Sequence, residues 1–354
     1  MCHPKRGGIT IQSKIYHFSD VSDVNETYMA KGWTDGLPIV PPTKEKVQAM
    51  LDFSGMTGDY VIGGIPERKK VFTAEKVAVN AVMAGCLPQY FSVVVAALTA
   101  LSDEKFNLHG PTASTHGAAL LMILNGPVVE QLGINSGQNV FGPGNRANMT
   151  IGRTIRLVLH NLGGCREFDR STLGHPGKIS YCIAERETDW TPLHVERGFD
   201  REDSTVTVIA AEGPNQIQNS ASTEPEGILL TLADRISAVG NFNLVKDQQF
   251  TVVLCPEHYR TCHVHGWDKQ RVKEFLYEKA RRPVADLKRF GGLPGEVTEQ
   301  DYQIMKTAAP SPEDILLVVA GGEAGRFSAV IPGWGTKKQT EAITRSIKSC
   351  TGDG

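Results

Sequence analysis

Two hydrophobic rhythms run along the chain. The segment "TAEKVAVNAVMAGCLPQYFSVVVAALTAL", residues 73–101, is apolar almost all round in its second half, which predicts two helices meeting at a corner with the second deeply buried. Upstream, Thr43 reads as an N-cap with Glu45 in the first turn, and Val47, Met50 and Leu51 have helical spacing. "AALLMILNGPV", 118–128, is a short apolar run stopped by Gly126 and Pro127, as in a buried strand. "FGPGNRANMTIGRTIRLVLHNLGG", 141–164, predicts a glycine loop feeding a helix that ends at Gly163 and Gly164. On that helix Arg146, Arg153, Arg156 and His160 share one face, opposite Ala147, Ile151, Ile155, Val158 and Leu162; solvent is the plain expectation for Arg153 and Arg156.

Beyond it, "KISYCIAE", "STVTVIAAE", "QFTVVLCP" and "DILLVVAGG" read as strands, the later ones alternating with helices over 225–238 and 268–282. The pattern predicts an α/β fold with mixed, partly parallel sheets flanked by helices. It divides the chain into a lead-in over 1–31, a first α/β lobe over 32–200 carrying the site motifs, and a second α/β lobe over 201–354. No internal repeat interrupts this plan.

Composition narrows the partners. With 354 residues and 40% hydrophobic content the chain has enough apolar surface for a large core. Its net charge of -2 comes from 37 basic and 39 acidic residues without a long run of one sign, so neither nucleic acid nor an anionic membrane is expected as a partner. The opening "MCHPKRGGITIQSK" lacks a signal-peptide core, and no apolar run approaches a membrane span. Seven cysteines at irregular spacing fit buried or reactive thiols in a reducing compartment, which gives the expectation of a cytoplasmic protein.

The loop "GWTDGLPIVPPT", 32–43, is stiff: Gly32 and Gly36 permit φ > 0, while Pro38, Pro41 and Pro42 fix φ. It reads either as a rigid connector or as the wall of a site, with Trp33 and Asp35 facing a substrate.

Several clusters could carry chemistry. Cys86 in "MAGCLP" lies close to a helix start, where unpaired amides would lower its pKa and make it a nucleophile; as a small apolar residue it would merely pack. "FNLHGPTASTHG" offers His109 and His116 as general bases just before a buried strand. "GPGNRAN" sets Gly144, Asn145 and Arg146 at a helix start, an arrangement suited to a carboxylate or phosphate. "STLGHPGKISYC" adds His175 and Lys178, as acid, base or substrate-holding cation. "AGGEAGRFS" fails the context of a dinucleotide loop but leaves Arg326 and Ser328 beside a backbone nest. In "CPEHYRTCHVH", His258, Cys262 and His265 fall on one helical face and form a candidate metal set, although the same spacing describes a core stripe.

The stretches "GWTDGLPIVPPT", "AVNAVMAGCLPQYF", "FGPGNRANMTIGR", "DRSTLGHPGKISYC", "PEH" and "AGGEAGRFSAVIPGWG" together resemble an uncharacterised bacterial and fungal family. Its genes often accompany proteins of the UGSC group, selenoproteins named for a Sec-Gly-Ser-Cys motif. The resemblance spans residues 28–347 and implies an α/β fold and thiol or selenol chemistry shared with a UGSC-type partner. This chain has no Cys-Gly-Ser-Cys stretch of its own.

The expectation is an enzyme acting on a small anionic, carboxylate-bearing molecule by lyase, hydrolase or thiol-transfer chemistry. Arg146 would bind the anion, His116 or His175 would move protons, and Cys86 would attack. The alternatives are a substrate-presenting subunit for a thiol or selenol partner and a metal-dependent hydrolase. A homo-oligomer is compatible with all three, and no motif names a cofactor.

Overall fold

The computed structural model describes residues 11–246 and 248–348. The first helices, α1 (Val21–Ala30) and α2 (Lys44–Ser54), flank the Pro-rich loop; Asp20 caps the first, and Thr43 caps the second through a hydrogen bond from the Lys46 amide. A hairpin of β1 (Val61–Ile65) and β2 (Lys70–Thr73) leads into α3 (Ala74–Ala84) and α4 (Phe91–Leu101), which meet at the corner anticipated around Gly85 to Pro88. Helix α5 (Arg146–Asn161) follows the glycine loop, with Asn145 as its N-cap.

Strands β3 (Ala119–Asn125), β4 (Cys182–Ala184), β5 (Thr205–Ala211) and, far downstream, β12 (Ile343–Ser346) make one sheet, in the order β12-β5-β3-β4. A second sheet has the order β10-β7-β11-β6, from β6 (Asn215–Gln218), β7 (Phe250–Leu254), β10 (Ile315–Val319) and β11 (Phe327–Ile331). The short pair β8 (Arg281–Pro283) and β9 (Met305–Thr307) stands apart. Pairing is parallel between β3 and β4 and between β7 and β10, and antiparallel elsewhere, so the sheets are mixed. The remaining long helices, α6 (Pro225–Ile236), α7 (Pro256–Val264) and α8 (Lys269–Lys279), alternate with the strands of the second sheet.

Alternation along each strand decides the layering. Leu121, Ile123, Ile183 and Ile209 of the first sheet pack directly on Val253, Leu316, Val318, Ala329 and Ile331 of the second. The opposite faces point outward. Met122, Leu124, Val206 and Val208 bury against α2 to α5, while Phe250, Val252, Leu254 and Leu317 bury against α6 to α8. The result is four layers, helix, sheet, sheet, helix. Where the sheets meet at one end, Ala211 bridges to Gly333 and the Glu212 amide donates to the Pro332 carbonyl at 2.8 Å. The layers cut across residue 200, since β5 and β12 belong to the sheet begun by β3 and β4.

Helix α4 shows why this stack holds. Phe91, Val93, Val94, Ala97, Leu98, Ala100 and Leu101 are all fully enclosed between the sheet and α2, α3 and α5. Burying each large side chain contributes about 1.5–3 kcal/mol. Truncating Leu98 to alanine leaves a cavity that the neighbouring layers cannot close, and is expected to cost about 2–5 kcal/mol in urea unfolding. A loss below about 1 kcal/mol would contradict this packing.

Candidate functional site

Side chains from loops of both sheets converge where β3 begins and β5 and β11 end. His116 precedes β3, and its Nε2 lies 2.9 Å from Glu212 Oε1, just past β5. The carboxylate can only accept, so Nε2 donates to it, and the enclosed Nδ1 has no hydrogen-bond partner among the described residues. The ring stacks on Phe242 at 5.1 Å. Tyr181 donates its hydroxyl to the Glu212 carbonyl at 2.9 Å, and His175 meets the Tyr181 ring edge-on. His175 Nδ1 accepts from the Gly177 amide while Nε2 faces the Ala211 carbonyl, so the ring is neutral; burial pushes its pKa down.

The loop over 169–178 closes one side of this cluster. Lys178 Nζ reaches both Asp169 oxygens at 3.0 Å and also the Ser171 hydroxyl, and Arg156 Nη2 reaches Asp169 at 2.9 Å. Burial raises the Asp169 pKa, but hydrogen bonds from Ser171 and Lys178 outweigh it and hold the carboxyl far below the usual range. Two cations surround this carboxylate, and Glu212 is the second acidic group of the cluster. Ser171 and Thr172 bond to the backbone of His116 and Thr115, which zips the two loops together. The space enclosed by Arg156, Asp169, Lys178 and Tyr181 is about 30 Å³, room for a water.

His109 stands behind this wall, its Nδ1 accepting from the Arg68 Nε at 3.1 Å. The same buried guanidinium donates to the carbonyls of Gly163 and His109 and to the Thr112 hydroxyl. His109 therefore helps to seat an arginine.

Cys86 and Arg146 lie elsewhere. Ten residues separate Arg146 from Arg156 along α5, roughly 15 Å at the helical rise. Arg146 donates from Nε and Nη2 to the Gly85 carbonyl at 3.2 and 3.0 Å, satisfying the end of α3. It borders an apolar slot of about 280 Å³ that is also lined by Val40, Lys46, Met50, Cys86 and Pro88. The expected lowering of the Cys86 pKa is reversed: burial pushes the thiol up, and hydrogen bonds to Thr154 and Thr150 and the charge of Arg146 do not offset it. Asn145 spends its carboxamide on the Asn148 amide and the Gly133 carbonyl, and Gly144 turns the preceding loop at φ +125°.

The Pro-rich loop is pinned to α5. Arg153 grips both Asp35 oxygens at 2.8 and 2.9 Å and the Pro38 carbonyl at 2.9 Å, so it is not the solvated cation its spacing suggested. His160 meets the Gly32 carbonyl, and Asn161 donates to the Trp33 carbonyl. Gly32 has φ +64°, in the left-handed region that glycine adopts without strain, and lies close against the Arg166 guanidinium. Trp33 packs edge-on against Tyr16 and Tyr28 and lines a separate pocket with His160 and Arg166; the loop reaches the Arg146 slot through Val40.

The metal set does not converge. His258 Nδ1 faces the Ser328 hydroxyl at 2.7 Å and Nε2 the Asn219 carbonyl at 3.0 Å. Cys262 lies in the core under the second sheet, and burial, with Glu226 and Cys255 nearby, pushes its thiol up to about 12. His265 pairs with Glu224 at the surface. No group of three His, Cys, Asp or Glu side chains among the described residues is placed to hold a metal ion. Ser328 is 2% exposed, in no position to meet a substrate, and Arg326 donates to the Ser220 and Ser222 carbonyls.

Sequence reasoning passed over Glu212, Asp169 and Ser171. Glu212 sits in "AAEGPN", where a strand running into a charged residue and a Gly-Pro turn was a usable signal.

Asp35 supplies a pH test. Burial raises its pKa, but the Arg153 hydrogen bonds and charge prevail and lower it. A depressed carboxyl stabilises the fold above its unfolded pKa, roughly 4, and that contribution disappears as pH falls through the folded value. Asp35→Asn leaves the half-buried Arg153 with the Leu37 and Pro38 carbonyls but no carboxylate and is expected to cost about 1–3 kcal/mol at neutral pH, with a smaller difference from wild type in acid. Urea melts at several pH values measure both, and a pH-independent difference would refute the assignment. No protein-family model matches the chain and no curated protein matches it, so the functional reading rests on these residues.

Proposed function

We propose that the protein is an enzyme that moves a proton on a small carboxylate-bearing molecule, with His116 as the base. The observation that carries this is the His116–Glu212 pair: the carboxylate fixes the imidazole tautomer and leaves Nδ1 uncommitted. Both side chains are partly open to solvent, at 22% and 29% exposure. Lys178 and Arg156 are the cations that would meet the substrate carboxylate; before it binds, Asp169 and Glu212 balance them. Because Nδ1 is enclosed, movement of the zipped loops to admit substrate belongs to the cycle. Neutral His175 lies beside the pair as the second proton carrier.

This arrangement favours lyase-type proton abstraction over attack by Cys86, whose thiol stays protonated and lies in a slot with no imidazole or carboxylate in its wall. A second reading, a substrate-presenting subunit for a thiol or selenol partner, draws on one observation: the described cysteines are all buried. Activity that appears only on mixing with such a partner would select it.

The test is deuterium uptake from heavy water at the α-carbon of a panel of small carboxylic acids, followed by NMR. Wild type is expected to catalyse exchange, and His116→Asn to lower the rate about 10²- to 10⁴-fold. Glu212→Gln is expected to lower kcat with little change in KM, because it disturbs the base and not the anion contact. Exchange that is undiminished in His116→Asn would sink the assignment.

A further inference from the structure

The carboxyl ends of the parallel pair β3 and β4 hold a second cluster, which the proposed reaction does not use. His116 precedes the other end of β3, and the two ends, Ala119 and Asn125, are roughly 20 Å apart at the strand rise. Ligands of α/β proteins commonly sit beyond the carboxyl ends of parallel strands. Here a pocket of about 680 Å³, within the range of small-molecule sites, opens against Asn125, Glu185 and His194. Asn125 Nδ2 donates to Glu185 Oε2 at 2.6 Å, and the Leu193 amide donates to the same oxygen at 2.7 Å. Lys269 Nζ lies 3.0 Å from Glu185 Oε1, so this buried carboxylate is paired and both its oxygens are engaged. The second sheet braces the walls: the Ser136 carbonyl accepts from the Gly321 amide at 2.9 Å, and the Arg186 amide donates to the Val319 carbonyl at 2.7 Å.

Two side chains bordering this pocket keep an unused polar atom. A carboxylate only accepts, so the Asn125 amide is fixed with Nδ2 on Glu185, and its Oδ1 has no hydrogen-bond partner among the described residues. His194 Nε2 donates to the Arg201 carbonyl at 3.2 Å, and its Nδ1 also has none. In the neutral ring that nitrogen is an acceptor. The two residues are 2% and 1% exposed, and a buried acceptor without a donor is costly. At the rim Glu130, Glu187 and Arg201 are exposed and form no ion pair among the described residues, whereas Arg186 is taken up by Glu323.

We propose that this pocket binds a small amino acid with an aliphatic side chain. The ammonium group donates to Asn125 Oδ1 and His194 Nδ1, the carboxylate meets Arg201, and the side chain lies along Val129, Ile134 and Pro192. An ammonium group carries three donors on one atom, enough for both acceptors and a rim carboxylate; a carboxylate alone would bring acceptors to acceptors. Carboxylates and an arginine together at the rim suit a zwitterion better than a simple anion.

The experiment is calorimetric titration of the full chain with L-leucine, with isoamylamine, which lacks the carboxylate, and with isocaproate, which lacks the amine. Leucine and isoamylamine are expected to bind, and to lose binding in Ser136→Trp, which fills the pocket from a half-buried loop position. Any binding of isocaproate is expected to be insensitive to that substitution. Asn125→Ala is expected to weaken leucine and isoamylamine alike by about ten- to a hundredfold. Arg201→Ala is expected to weaken leucine by about two- to fivefold and to leave isoamylamine unchanged. His116→Asn is expected to bind leucine as wild type does, which separates this pocket from the proposed reaction site. Should Asn125→Ala fail to fold, Ser136→Trp and Arg201→Ala carry the test from outside the core. No binding of leucine or isoamylamine up to roughly ten millimolar, leucine binding that survives Ser136→Trp, or its loss in His116→Asn overturns the proposal.

Discussion

Arg146, Arg153, Arg156, His160 and Asn161 leave one face of α5 and end on three segments: Arg146 on the Gly85 carbonyl, Arg156 on Asp169, and the other three on the Pro-rich loop, at Asp35 with the Pro38 carbonyl, the Gly32 carbonyl and the Trp33 carbonyl. The other face of the helix is locked into the core by Ile151, Ile155 and Val158. A half-buried cation or amide without a partner is costly, so the surrounding loops are obliged to present acceptors at these five points. The stiff Pro-rich loop, the corner between α3 and α4, and the loop that carries Lys178 all take their positions from this one surface. On its inner side the helix approaches β4 so closely that a Cβ at Gly152 would fall 2.1 Å from Ser180 Oγ, which fixes the start of that strand.

The same arrangement separates two chemistries that lie near each other in the sequence motifs. Arg146 leaves the first turn of α5, about 15 Å along the helix from Arg156, where Asp169 and Lys178 gather, so one small molecule cannot touch both; Cys86 bonds Thr154, two residues before Arg156 and on the opposite side of the helix. The histidine cluster instead draws its carboxylate, Glu212, from the end of β5, and its ring neighbour, Phe242, from beyond α6. The site is therefore a product of sheet-on-sheet packing, since neither sheet alone supplies all of its groups.

Local pattern made α2, α3, α4, α5, α6 and α8 legible, because each is long enough to show a periodic face. Strands β3, β5, β7 and β10 were legible as bounded apolar runs. The short strands escaped: β6 is "NQIQ" and β12 is "ITRS", too brief and too polar for alternation to show. Arg153 was misread because a cationic stripe opposite an apolar one looks the same whether water or a carboxylate covers it. For Cys86, a helix start is visible in sequence but the burial that outweighs it is not. The spacing of His258, Cys262 and His265 drew attention to one helical face, but the three side chains end apart, on Ser328, in the core and on Glu224.

Strand β12 has a consequence for the order in which the protein can be made. It completes the first sheet by pairing with β5, yet 131 residues lie between Ala211 and Ile343, and within them the whole second sheet is built. A ribosome that has delivered β3, β4 and β5 has made a sheet whose β5 edge is still open, and an open strand edge is a template for pairing with other chains. The late arrival of four residues, Ile343 to Ser346, covers that edge from 131 residues downstream. Synthesis of the first layer thus finishes only after the other three have been translated.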